Sequence, residues 1–229
     1  VCMKIQTVLN KFVKAHVDND QEITMKSAGR RQAVADMKRG IILDAARRIF
    51  ETEGLDGASL RAIAAEAGYT PAALYFHFDS KEAIYGEVLR ESLNRLSDAV
   101  RRSLAGARTE KQRLKKAAMG FFKFYAENPR DLDLGFYLFR GGMKPKGLGK
   151  VRDEELNKTL GGALAPISET AERMGVSAKH AELLVVDIFA HATGLLLLAH
   201  TGRIRMFGAS AARQMENYVD QQIARIGKG

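Results

Sequence analysis

A chain of 229 residues, 46% hydrophobic and 28% charged, holds enough apolar material for one large or two small cores, which excludes disorder as its overall state. Its 36 Lys and Arg against 27 Asp and Glu leave a net charge of +9, which favours polyanionic partners such as nucleic acid or an acidic membrane surface. The one cysteine, Cys2, excludes an internal disulfide and a cysteine-held zinc, and fits a reducing cytoplasm.

Ile5, Val8, Leu9, Phe12 and Val13 have the spacing of one short amphipathic helix, too interrupted by Gln6, Asn10 and Lys11 to read as a signal peptide. Residues 18–40, with Lys26, Arg30, Arg31, Lys38 and Arg39 and few apolar side chains, read as a mobile basic arm. Ile41, Ile42, Ala45, Ala46, Ile49 and Phe50 form one face of a helix that Gly54 ends. A second helix starts at the N-cap Ser59, carries Leu60, Ile63 and Ala64, and closes at Gly68. A third is capped by Thr70, with Pro71 at its first position, and ends near Phe78. Phe76 and Phe78 are expected to pack inside. Asp79 and Ser80 supply the next cap, with Asp79 and Glu82 at capping-box spacing.

Beyond Ser80 the spacing predicts long helices to about Leu104 and over Glu110–Glu127. A short aromatic helix over Asp131–Arg140, a glycine-rich loop over 141–149 and a helix over Val151–Met174, bent at Pro166, come next. Two last helices cover Ala178–His200 and Ala209–Ile226. Strand signals are almost absent, so the chain reads as all-α. The most apolar run, ahead of Leu195 to Leu198, is broken by Asp187 and His191 and does not read as a membrane span.

The two short helices joined through Ala67-Gly68-Tyr69-Thr70 make a helix-turn-helix, a pattern that places its second helix in the DNA major groove. Charge sits around this motif rather than in it. Residues 1–40 hold eight basic and four acidic side chains, residues 41–90 five and eight, and residues 91–125 nine and three.

The run from Ile41 through Ser59-Leu60-Arg61 to Leu74-Tyr75-Phe76-His77-Phe78 and Ser80-Lys81-Glu82 resembles the DNA-binding domain of the TetR/AcrR family of regulators. The resemblance covers about fifty residues without a gap; the rest of the chain matches the family only in length and helical character. It implies an N-terminal extension over 1–40, a three-helix DNA-binding domain over 41–86 and a helical ligand-binding and dimerisation domain over 87–229. Carried over by position, Tyr75 and His77 resemble the family's phosphate-contacting pair and Lys81 the basic residue that opens the next helix. Arg61 would reach a guanine from the groove edge, and Thr70, Ala72 and Ala73 would meet base edges or thymine methyls. No Lys or Arg lies between Pro71 and Phe78, so Lys38 and Arg39 of the arm would supply much of the positive field.

Seven of the 17 aromatic side chains fall within residues 121–139. Phe121, Phe124, Tyr125, Phe136 and Phe139, with Met143 and Met174, either line an apolar effector pocket or form an ordinary aromatic core. Asp187 and His191, one turn apart on an apolar helix, bond each other or, for His191, a ligand; a metal site lacks further ligands. No cofactor is implied. By the resemblance, residues 178–226 would form a homodimer through a four-helix bundle and so read an inverted-repeat operator. A small effector would favour a state in which the helix from Ser80 is shifted, loosening the grip on DNA. Repression relieved by ligand is the usual family mode, with activation the alternative; a nonspecific architectural protein and a helical enzyme are the rivals from other classes.

Overall fold

The computed structural model describes residues 2–135 and 147–226, with side chains from residue 29 onward. Its elements are α1 (Cys2–Gly57), α2 (Leu60–Glu66), α3 (Pro71–Tyr75), α4 (Lys81–Ser103), α5 (Glu110–Glu127), α6 (Pro129–Gly135), α7 (Lys150–Arg173), α8 (Ala178–His200), a 3-10 turn (Arg203–Phe207) and α9 (Ala211–Ile226). All are helical, as the periodicity predicts.

The N-terminal boundary differs from expectation. Residues 2–53 run as one helix, through the segment read as a separate short helix and a mobile arm; non-helical backbone first enters at Gly54, with φ 68°. Composition misled there: the stretch 18–40 has no proline and is rich in Gln, Met, Lys, Ala and Arg, which favour helix.

The turns around α2 and α3 follow from their sequence. Ser59 Oγ accepts from the Ala62 amide and Thr70 Oγ1 from the Ala73 amide, each satisfying a free N–H of a helix start. Between the two helices Gly68 takes φ +72°. That lets the Tyr69 amide donate to the Ala64 carbonyl at 2.8 Å and the Gly68 amide to Ala65 at 3.1 Å, a Schellman close that a β-carbon would strain. Ile42, Ala46, Phe50, Ile63, Leu74 and Phe78 are buried beneath this pair. Arg48 to Glu66 at 2.6 Å ties α1 to α2, and Arg47 to Glu91 at 2.8 Å ties α1 to α4.

α4 leaves this unit and becomes a wall of the second, where α4, α5 and α7 pack on one another and α8 and α9 close the outer side. Buried side chains run without a break from Phe50 through Tyr85, Val88 and Leu96 to Leu114, Ile167 and Ile188. Only Ser80 caps α4, its Oγ accepting from the Ala83 amide. Asp79 does not close the expected capping box and pairs instead with Arg152 of α7, at 3.3 Å.

α8 also departs from the sequence reading: Ala178–His200 is long and apolar enough by composition to cross a membrane, despite Asp187 and His191. In this fold one side of it, Ala181, Leu184, Ile188, Ala192, Leu195 and Leu196, is buried on its neighbours. Leu183, Val186 and Leu197 stand more than half exposed at 51%, 59% and 53%.

Candidate nucleic-acid interface

The outward surface of α2 and α3 collects most of the expected contact residues. Arg61 on α2 is exposed, as are Thr70, Ala72 and Tyr75 around α3, while Ala73 is half-buried. Thr70 Oγ1 already serves as helix cap, so its hydroxyl hydrogen is what it has left to offer a base or phosphate. His77 is half-buried just past the end of α3, its amide donating to Leu74.

Phe76 corrects the sequence reading. It is 88% exposed, beside Tyr75 at 60%, whereas Phe78 is buried as expected. The reason is helical phase: Phe76 continues α3 as its C-cap in right-handed helical conformation, Leu74 and Phe78, four residues apart, take the buried face, and Phe76, midway between them, falls on the opposite side.

Two cations read as reaching toward DNA are engaged within the protein. Lys81 Nζ donates to the carbonyls of Leu55 at 2.9 Å, Ala58 at 3.1 Å and Asp56 at 3.4 Å. Those carbonyls lie at the C-terminal end of α1, which stops at Gly57, and an ammonium satisfies them much as a basic residue caps a helix end. Arg39 lies with its guanidinium 4.3 Å from the centre of the Phe78 ring, donates to the His77 carbonyl at 3.4 Å and pairs with Glu87 at 3.2 Å. Burial opposes the charge on Glu87, but Arg90 and Arg39 together hold its carboxyl below the ordinary range. Lys38, its neighbour, is exposed.

The expected sensing residues divide into three groups. Phe136, Phe139 and Met143 lie outside the described residues. Phe121 and Tyr125 are buried ring against ring at 5.2 Å, and Phe121 meets Phe189 of α8 at 5.7 Å. Phe124 stacks edge-on to Tyr125 and also lines a polar groove of about 700 Å³ between α4 and α5, with Arg95, Asp98, Arg102, Lys123 and Glu127. Burial, with the charge of Asp131, pushes the Tyr125 phenol well above its usual value. Met174 packs half-buried at the end of α7.

His191 does not bond Asp187. Its ring stacks on Tyr218 of α9 at 3.8 Å and 15°, and its Nε2 is enclosed without a hydrogen-bond partner. Burial lowers its pKa.

The family model described as bacterial regulatory proteins, tetR family, matches residues 42–88. The transcriptional activator FasR of Mycolicibacterium smegmatis is 35% identical over 101 residues, 44% of this chain and 46% of that protein. The transcriptional repressor KstR2 of Rhodococcus jostii is 40% identical over 68 residues, 30% of this chain and 33% of that one. The likeness thus spans less than half of these relatives. The transcriptional regulator FadR of Bacillus subtilis, solved in complex with stearoyl-CoA, shares the fold at a TM-score of 0.60 and 17% identity, over 80% of this chain and 96% of that one. A TetR family transcription regulator of Marinobacter aquaeolei superposes at a TM-score of 0.61 and 17% identity, over 85% and 97%.

Proposed function

Starting from the premise that its N-terminal unit belongs to the tetR family of bacterial regulatory proteins, we propose that this chain is a ligand-responsive transcriptional regulator that binds an inverted-repeat operator as a homodimer. The observation that carries the reading is the outward surface of α2 and α3. Arg61, Ala72, Tyr75 and Phe76 are held out to solvent by a buried base of Ile63, Leu74 and Phe78.

In this reading Tyr75 and His77 meet phosphates, and Thr70, Ala72, Ala73 and Phe76 meet base edges, thymine methyls or sugars. Arg61 reads a base, and Lys38 adds a phosphate contact from α1. Arg39 and Lys81 act indirectly, by fixing the recognition helix against α1 and α4. The DNA-binding unit covers 41–86 together with the turn of α1 that bears Arg39, the sensing and dimerisation unit 87–229. The site of action is the cytoplasm, away from membrane.

The exposed apolar line Leu183, Val186 and Leu197 on α8 supports a homodimer through 178–226, a surface of this kind being costly to leave in water. The effector is small and apolar or amphipathic, held near Phe121, Phe124, Tyr125, Met174 and His191, with Phe136, Phe139 and Met143 assigned on sequence alone. That FadR was solved with stearoyl-CoA supports an amphipathic effector class. Effector binding lowers the operator affinity and so relieves repression. An activator is the second reading, favoured by the likeness to FasR.

Selection of genomic fragments by the purified protein tests the proposal. The expected product is an inverted repeat bound by a dimer, with Arg61→Ala relaxing preference at one base position. Failure to enrich any inverted repeat would sink it, and equal loss on every sequence for Arg61→Ala would reduce that residue to a phosphate contact.

A further inference from the structure

Tyr85 belongs to both units at once. It sits on the second turn of α4, fully buried, with its ring 4.8 Å from that of Phe50 on α1 and edge-on at 69°. Its hydroxyl donates to the Leu134 carbonyl of α6 at 2.8 Å. Phe50 is itself fully buried, in the core that carries α2 and α3. One rigid side chain therefore touches α1, on whose buried face α2 and α3 rest, at one end and α6 at the other.

α6 is also tied toward the N-terminal half by Arg130 to Glu51 of α1 at 3.0 Å and by Asp131 to Arg95 of α4. Both involve exposed or half-exposed arginines, so water competes for them and either can slide by a rotamer. The Tyr85 bond cannot slide. Hydroxyl and carbonyl belong to residues 0% and 2% exposed, so the bond is shielded from competing water.

We infer that Tyr85 is the positioning residue that couples α6 to the recognition helix, so that a displacement of either is felt by the other through the Phe50 ring and the Leu134 carbonyl. Its regulatory meaning rests on the ligand-responsive reading; the coupling itself does not need an effector to be measured. Linkage is reciprocal, so DNA held by α3 must steady α6 as much as a change at α6 alters the grip on DNA.

The test uses a duplex obtained by selection and the full chain. Amide hydrogen exchange over residues 130–135 is followed with and without duplex, in wild type and in Tyr85→Phe, which keeps the ring on Phe50 and removes only the hydroxyl. In wild type, bound duplex slows exchange there about tenfold, within the usual range for coupled sites. In Tyr85→Phe the duplex still binds and the slowing disappears, whereas Arg130→Ala retains it. Unchanged slowing in Tyr85→Phe, or none in wild type with duplex bound, overturns the inference.

Absence of any duplex binding would instead count against the regulator reading, and the link is then read in the protein alone. Loosening α6 with Asp131→Asn speeds exchange at 74–78 in the wild-type background and not in the Tyr85→Phe background. Equal acceleration in both overturns the coupling. If Tyr85→Phe does not fold, Phe50→Leu severs the other end of the same link and takes its place in both comparisons, with the same outcomes.

Discussion

The ammonium of Lys81 donates to the carbonyl of Leu55 at 2.9 Å, joining the first residue of α4 to the end of α1 across 26 positions of sequence. A cation spent in this way stabilises the fold. Lys81→Met is expected to lower stability by about 1–3 kcal/mol, the range for leaving partly buried acceptors without a charged donor. It should weaken DNA binding only through that loosening, leaving the salt dependence of affinity unchanged. Loss of a phosphate contact would instead lower the slope by about 0.9. Titrations at four or five salt concentrations distinguish the two, and a reduced slope would return Lys81 to the DNA surface.

Phe76 and Phe78 should behave as opposites although they stand two residues apart. Phe78→Ala empties a buried site beneath Arg39 and should cost about 3–5 kcal/mol. Phe76→Ala removes a ring that is already in water, so stability should stay within about 0.5 kcal/mol. Operator affinity should nevertheless fall by about 1–2 kcal/mol, from apolar area buried against DNA at ~25 cal/mol per Å². Denaturant midpoints and binding isotherms on both variants give the answer; unchanged affinity in Phe76→Ala would remove that residue from the interface.

Gly120 is fixed by a neighbour's side chain. A β-carbon there would stand 2.4 Å from Ser103 Oγ and 2.8 Å from Ser103 Cβ, and that hydroxyl donates to the carbonyls of Val100 and Lys116 where α4 meets α5. Alanine in a helix interior ordinarily gains about 1 kcal/mol over glycine. The overpacking penalty of about 1–3 kcal/mol should exceed that gain, so Gly120→Ala lowers the urea midpoint. Adding Ser103→Gly, which removes the obstructing atoms, should recover part of the loss.

His191 sets a pH dependence whose sign follows from its surroundings. Burial, the stacked Tyr218 ring and the lack of a partner for Nε2 favour the neutral imidazole, although the carboxylate of Asp187 lies one turn away. Its folded pKa is thus below the unfolded value of about 6.5. The unfolded chain binds the proton first, so the contribution is complete above about pH 6.5 and is lost as pH falls toward and through the folded value. His191→Gln should flatten this acid-side decline relative to wild type in melts taken from pH 8 to pH 5. Parallel curves would show that the imidazole does not titrate differently on unfolding.

The helix-turn-helix was legible because its determinants are local. Gly68 permits the turn, Thr70 and Ser59 cap the two helices, and Ile63 and Leu74 supply the buried side, all within sixteen residues. What sequence did not reveal depends on partners far along the chain. Arg39 meets the carbonyl of residue 77, and Arg152 the carboxylate of residue 79. A backbone carbonyl has no sequence signature, so a basic residue that satisfies one is indistinguishable in sequence from one that faces solvent. Phe76 failed for a different reason: in an aromatic run the phase decides which rings face inward, and Leu74 with Phe78 takes the buried face, which leaves Phe76 outside.

Arg39 also determines what can be removed from this chain. The match to the family model begins at residue 42, yet the guanidinium covering Phe78 and holding the His77 carbonyl comes from residue 39. A fragment trimmed to the recognisable motif would uncover an aromatic ring and free the carbonyl at the tip of the recognition helix. Likeness delimits what has been inherited in common; the smallest piece that holds its shape is larger by at least one turn of helix.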